Sequence, residues 1–169
     1  MSLPVELLDL ARHLSTRERT RPKQASLRRS VSTAYYALFH LLTSEAVSLI
    51  GSNMSLVGTR KIQRWFDHSE MKRVSGMFSA ANAPKAIAPI LGAPVSADLQ
   101  YIAQAFIKLQ EARHEADYDL ESSWTKLTAQ ELVEVARNSF ESWGRIRRSH
   151  EANVFALALL SIKLFDKDR

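Results

Sequence analysis

The chain contains no cysteine. Disulfides, thiolate metal sites, iron–sulfur clusters and cysteine nucleophiles are excluded together. Glycine and proline are scarce, five of each in 169 residues. That is too few for the many turns of an all-β domain, and helix becomes the expected class. The longest apolar run, Val154–Leu160, falls far short of the roughly 20 residues that span a bilayer, so no membrane partner is expected. The start of the chain, MSLPVELLDLARHL, lacks a basic leader and carries Glu6 and Asp9 among its apolar residues, unlike a secretory signal. A cytoplasmic protein is expected. The histidines at 13, 40, 68, 114 and 150 show neither i,i+4 pairing nor His-x-His, so no metal site is expected. Without a Gly-rich phosphate loop or a Gly-x-Ser-x-Gly elbow, no cofactor is expected either.

What is present describes a folding domain. Hydrophobic residues make up 46% of the chain, which argues against disorder. The length suits a single domain over residues 1–169. The net charge is +5, and between Arg17 and Arg29 six basic residues face one acid, Glu18. Arg145, Arg147 and Arg148 form a second cluster. Such patches attract polyanions, although a solvated surface is their commoner meaning.

Periodicity predicts an all-α bundle of about five main helices plus short ones. Leu3, Leu7, Leu10 and Leu14 mark a first helix ending near Thr16, and Pro22 breaks the pattern. A long helix is expected from about Lys23 to Ile50, ended by Gly51. Thr59 is a candidate cap for a short helix holding Ile62, Trp65 and Phe66, and another helix is expected from Glu70 to Ala80. Pro84, Pro89, Gly92 and Pro94 read as a loop. Ser96 with Asp98 opens a helix to about Leu120, and Thr128 with Glu131 has the form of a capping box for a helix ending near Arg148. The last helix, about Glu151 to Phe165, is apolar on most sides and is expected to be central or packed at an interface.

Two segments break their own pattern. The stripe Leu99, Ile102, Phe106, Leu109, Ala116 and Leu120 passes through position 113, which is arginine. Asp117, one turn later, projects within about 40° of the same stripe. Two opposite charges therefore aim at the bundle interior and must pair or face a cleft. His114 and Tyr118 flank them. In the long helix, Leu27, Val31, Ala34, Leu38, Leu41 and Leu42 form an ordinary core stripe. The opposite side mixes Arg29, Thr33, Tyr36, His40 and Thr43. This mixture suits a second layer of helices, a ligand cleft or another subunit. Arg113 and Asp117 form either a structural ion pair, with Tyr36 as a hydrogen-bond partner, or a phosphate clamp with an orienting carboxylate. His40 is either a core histidine or a general acid/base, since imidazole titrates near neutral pH.

The run Arg29-Ser30-Val31-Ser32-Thr33-Ala34-Tyr35-Tyr36-Ala37-Leu38-Phe39-His40 resembles the signature helix of HEPN-like proteins. Leu109-Gln110-Glu111-Ala112-Arg113-His114-Glu115-Ala116-Asp117-Tyr118-Asp119 resembles that group's Arg…Ala-Asp-Tyr helix. Trp65-Phe66-Asp67-His68, followed by Met71 and Phe78, is similar to the mid-chain His segment of some members. The resemblance implies a compact helical bundle that often dimerises. Members include metal-independent ribonucleases of defence and toxin–antitoxin systems, and inactive RNA-binding or interaction modules.

The ribonuclease members carry an Arg, four to six residues, then a His, with a polar residue after the Arg. This chain departs from that pattern. Arg137-Asn138 begins it, but Ser142, Trp143 and Gly144 occupy the positions for the histidine. Arg145 and His150 have the right separation, with Ile146 in place of the polar residue. The leading expectation is a protein that binds or cleaves RNA without a metal. The candidate catalytic residues are His40, Arg113, His114 and Asp117, with Arg29, Tyr36, His68 and Tyr118 as nucleic-acid or ligand contacts. In a cleavage reaction a histidine (His40, His114 or His68) takes the 2′-hydroxyl proton, and Arg113 or Arg29 stabilises the charge building on the phosphorane. The rival expectation is a non-catalytic interaction module, a homodimer or the helical partner of a nucleotidyltransferase-type protein. A nucleotide-binding bundle with Tyr36, His40 and Arg113 around its pocket is a third.

Overall fold

The computed structural model describes residues 2–50 and 56–165. Among these residues helix is the only regular secondary structure, with eight helices and no strand. Five are long: α1 (Leu3–Thr16), α2 (Gln24–Ile50), α6 (Ala97–Tyr118), α7 (Lys126–Ile146) and α8 (His150–Phe165). Three are short: α3 (Leu56–Gln63), α4 (His68–Met77) and α5 (Ala88–Leu91). No helix among the described residues is long and apolar enough to cross a membrane.

Several ends differ from expectation for local reasons. α4 begins at His68 rather than Glu70, because the Asp67 carboxylate accepts the backbone N–H groups of Ser69 (2.9 Å) and Glu70 (3.0 Å). Thr59 lies inside α3 and is not its cap, while Trp65 lies beyond its end, 75% exposed. α7 starts at Lys126, not after Thr128. The Thr125 hydroxyl accepts the Thr128 N–H at 3.1 Å and so takes the capping role the sequence offered to Thr128. Ser96 does cap α6, accepting the Leu99 N–H at 3.2 Å. Leu120 falls past the end of α6 and is 87% exposed, so it does not continue the buried stripe. Gly51 lies outside the described residues. α5 closes on Gly92, whose φ of 68° is the left-handed conformation that glycine adopts without a Cβ penalty.

The contacts fall into two compact units. The first joins the residues up to Leu41 with Ala105–Glu141. Its core is Ala11, Leu27, Val31, Ala34, Tyr35 and Leu38, with Phe106 and Leu109 from α6, all fully buried. Tyr35 and Phe106 pack ring to ring at 5.5 Å. α1 lies close to α2 because the facing residues are small: the buried Ser30 hydroxyl donates to the Ala11 carbonyl at 2.7 Å. The second unit joins Leu42–Gln104 with the residues from Ser142 onward. There α4 packs on α8, with Phe78 and Phe155 edge to face at 5.0 Å. α8 is buried on most sides, through Ala152, Val154, Phe155, Ala156, Ala158 and Leu159. The Glu151 carboxylate accepts the Ser96 N–H at 3.0 Å.

Candidate functional site

The first unit holds a polar row at four-residue spacing along α2: Gln24, Arg28, Ser32, Tyr36 and His40. Residues four apart form a ridge on one side of a helix. The first four meet the segment from Arg113 to Trp124. Gln24 exchanges two hydrogen bonds with the Trp124 backbone, donating to its carbonyl at 2.8 Å and accepting its N–H at 2.9 Å. Arg28 donates to the carbonyls of Ala116 (2.9 Å), Asp119 (2.8 Å) and Ser122. These are carbonyls that the end of α6 and the following turn leave without helical partners, and a cation there also complements the helix dipole. Ser32 donates to the Asp117 carboxylate at 3.2 Å. The Tyr36 hydroxyl accepts from Arg113 Nη2 at 2.8 Å.

Arg113 is the centre of this arrangement. Its Nε lies 2.9 Å from Asp117 Oδ2, with side-chain exposures of 17% and 25%. That N–H is not aimed along a hydrogen-bond axis, so the approach is a charge contact. The guanidinium carbon lies 5.5 Å from the Tyr36 ring centre and 5.3 Å from that of Tyr118, within cation–π range of both. Tyr118 is 62% exposed and sits 5.0 Å from the exposed His114 ring. Burial alone favours an uncharged guanidine, but Tyr36 and Asp117 outweigh it and raise the Arg113 pKa. Arg113 is therefore a fixed cation.

Of the predicted residues, the fold brings Tyr36, Arg113, His114, Asp117 and Tyr118 together. His40 continues the α2 row, half-buried, with its ring 6.4 Å from Tyr36 and 5.3 Å from Phe39. Arg29 is exposed on α2. His68 is half-buried, the first residue of α4, and belongs to the second unit. Sequence reasoning missed Arg28, Ser32 and Gln24. The signal was the four-residue polar row, hidden in what read as a cluster of surface charge. Arg145 and His150 are engaged separately in the second unit. Arg145 grips Asp98 through Nε and Nη2 and also donates to the Ser142 hydroxyl at 2.9 Å. His150 Nε2 lies 2.8 Å from the Ile90 carbonyl. Among the described residues no group of three or more His, Asp or Glu is placed to hold a metal ion.

Chemically, the site offers two things to a ligand. The Tyr118 and His114 rings present stacking surface, and the Arg113 fork has donors beyond those that meet Tyr36 and Asp117. The chain matches no protein-family model, no curated protein and no solved structure. The fold and site therefore define it only as an all-helical protein with an Arg–Asp–Tyr network opening onto an exposed aromatic pair.

Proposed function

We propose that this is a HEPN-like RNA-binding protein, working in a stress, defence or toxin–antitoxin setting, whose RNA contact is the cluster of Tyr36, Arg113, His114 and Tyr118. One observation carries the reading. The two segments that resemble the HEPN signatures, 29–40 and 109–119, meet each other through Tyr36–Arg113 at 2.8 Å and Ser32–Asp117 at 3.2 Å. Single-stranded RNA is recognised by stacking its unpaired bases on aromatic and guanidinium planes. Tyr118 and His114 supply such planes, and Arg113 supplies charge beneath them. Arg17, Arg19, Arg21, Lys23 and Arg29, on the surface of the same unit, add the sequence-independent attraction for phosphate. In a cleavage reaction His114 or His40 accepts the 2′-hydroxyl proton, the 2′-oxygen bonds to phosphorus as the P–O5′ bond breaks, the leaving 5′-oxygen takes a proton from water, and Arg113 stabilises the phosphorane between.

The second reading, a non-catalytic interaction module that pairs with a nucleotidyltransferase-type protein, is favoured by a specific feature. Arg113 is already neutralised by Asp117, and Arg145 and His150 are held by other groups. One experiment separates the two. A labelled single-stranded oligoribonucleotide is titrated with the protein in EDTA, by anisotropy, and the same samples are run on a denaturing gel. Binding that weakens about tenfold in Tyr118→Ala supports the RNA reading, since one stacked base is worth ~1–3 kcal/mol. Cleavage lost in His114→Ala or His40→Ala identifies the base. No binding and no cleavage by the folded wild-type protein moves the assignment to the interaction module.

A further inference from the structure

Trp124 and Trp143 are buried, 7% and 4% exposed, but Trp65 stands 75% in solvent. Tryptophan is highly buried on average, so a ring held out in water needs a reason. The local chain shows how it is held there. Beyond α3 the backbone tightens into one more turn, in which the Arg64 N–H donates to the Lys61 carbonyl at 3.2 Å and the Trp65 N–H to that of Ile62 at 2.9 Å. Ile62 and Phe66 take the buried places on this turn. Lys61, Arg64 and Trp65 fall at i, i+3 and i+4, the spacing that makes neighbours on a helical surface, and all three are exposed. The charge around the ring is one-sided. Neither Lys61 nor Arg64 has an ionic partner among the described residues. The acids that follow are already engaged: the Asp67 carboxylate caps α4, and Glu70 pairs with Arg73 at 2.9 Å.

We propose that the turn of Lys61, Arg64 and Trp65 is a separate contact for single-stranded nucleic acid, in which an unpaired base stacks on the Trp65 indole while Lys61 and Arg64 hold the phosphates beside it. The inference rests on the RNA reading but uses neither Arg113 nor Tyr118, which belong to the other compact unit. The chemistry of the turn selects this occupant. A flat ring beside two uncommitted cations is the combination that single-strand binding uses: every base has a face to stack, and the cations follow the backbone. A partner helix is recognised through a row of apolar side chains, and a lipid surface through an apolar helix face with basic flanks. Between Lys61 and Glu70, Trp65 is the only exposed large apolar side chain, which supplies neither a row nor a face. One ring and two cations carry no pattern that reads base edges, so the contact tolerates any sequence.

The test uses the tryptophan itself. Because Trp124 and Trp143 are buried, iodide quenching of the folded chain reports on Trp65. The full chain is titrated at low salt with a short oligouridylate and, separately, an oligodeoxythymidylate. Both are expected to quench the emission and to shield Trp65 from iodide, since stacking does not depend on the 2′-hydroxyl. Trp65→Phe keeps only the buried tryptophans and loses this response. By anisotropy, Trp65→Ala weakens binding about tenfold, and Trp65→Phe, which retains a flat ring, keeps part of the affinity. Lys61→Ala with Arg64→Ala lowers the slope of log K against log salt by about 1.4, the share of two phosphates on a single strand. All three side chains are exposed, and the helical circular dichroism is expected to stay unchanged in every variant. Binding that leaves the emission and iodide access of Trp65 as in the free protein, with Trp65→Ala at wild-type affinity, overturns this contact and leaves the Tyr118 cluster standing. No binding of either oligonucleotide overturns both. Phosphatidylserine vesicles that shift the emission to the blue, while the oligonucleotides do not change it, assign the indole to lipid and overturn the proposal.

Discussion

Arg113 occupies a position on α6 where Leu99, Ile102, Phe106 and Leu109 are fully buried one to four turns earlier. An arginine survives there because three groups share its cost: the Tyr36 hydroxyl accepts a bond, Asp117 balances the charge, and two aromatic faces cover the guanidinium. Removing one partner leaves the others poorly satisfied. Tyr36→Phe deletes a single acceptor and is expected to lower stability by about 0.5–1.5 kcal/mol, measured as a shift in urea midpoint. Arg113→Ala leaves Asp117 without its cation and is expected to cost about 1–3 kcal/mol, less than a fully buried pair because both side chains retain some water. Tyr118→Ala is the contrasting variant. The ring is mostly exposed, so stability stays within about 0.5 kcal/mol of wild type while RNA affinity falls. Arg113 and Asp117 were legible in the sequence, because a charge on an apolar stripe demands a partner. Arg28 was not, because its neighbours Arg17, Arg19, Arg21, Lys23 and Arg29 made it look like one more surface cation. Only the fold shows that its offsets of four residues from Ser32 and eight from Tyr36 bring it to the end of α6.

At the scale of elements, Arg28 takes the place of a glycine cap. It collects carbonyls from Ala116 to Ser122 with one side chain, and thereby fixes the turn just beyond Tyr118. Arg28→Ala is expected to speed amide hydrogen exchange in the last turn of α6 more than in its middle. It is also expected to cost about 1–2 kcal/mol, because several carbonyls are deprived of their donor at once. The start of α6 carries a pH-dependent contact. The bonds from Arg145 to Asp98 hold that carboxyl below its usual value, against a smaller opposing effect of burial. A depressed folded-state pKa means that the stabilisation is present above the unfolded value and fades as pH falls through the folded one. Acid unfolding of the wild type below about pH 4 therefore includes a small component from this pair that Asp98→Asn lacks. The pair is substantially exposed, so the component stays under about 1 kcal/mol. The elements also show where sequence reading stops. α1, α2 and α6 were plain from spacing and caps. The start of α7 was not, because Thr125 and Thr128 are both competent caps three residues apart, and only the fold selects Thr125. The leucine spacing of α1 marks the helix correctly but points to the wrong docking face, because close approach to α2 at Ser30 favours Ala11 and Ser15 over larger side chains.

For the whole molecule, the consequence is electrostatic. If the proposed RNA binding holds, a chain of net charge +5 whose first unit carries Arg17, Arg19, Arg21, Lys23 and Arg29 on its surface is expected to bind with a steep salt dependence. On the same proposal, stacking on Tyr118 would add affinity that salt changes little. Reversing Arg19 and Arg21 to Glu should therefore flatten the slope of log K against log salt, whereas Tyr118→Ala should lower the line without changing its slope. The all-helical class was legible from composition and period alone. The meeting of Tyr36 with Arg113, 77 positions apart, was offered by the sequence as one of two alternatives for the Arg113–Asp117 pair, because no local motif records which contact such distant residues make. Whether RNA meets this cluster is read by ultraviolet cross-linking of a bound single-stranded oligoribonucleotide in EDTA, with the attached peptides identified by mass spectrometry. Nucleotide adducts are expected on the segment containing His114 and Tyr118. Adducts confined to other segments, or none above a heat-denatured control, would contradict that expectation.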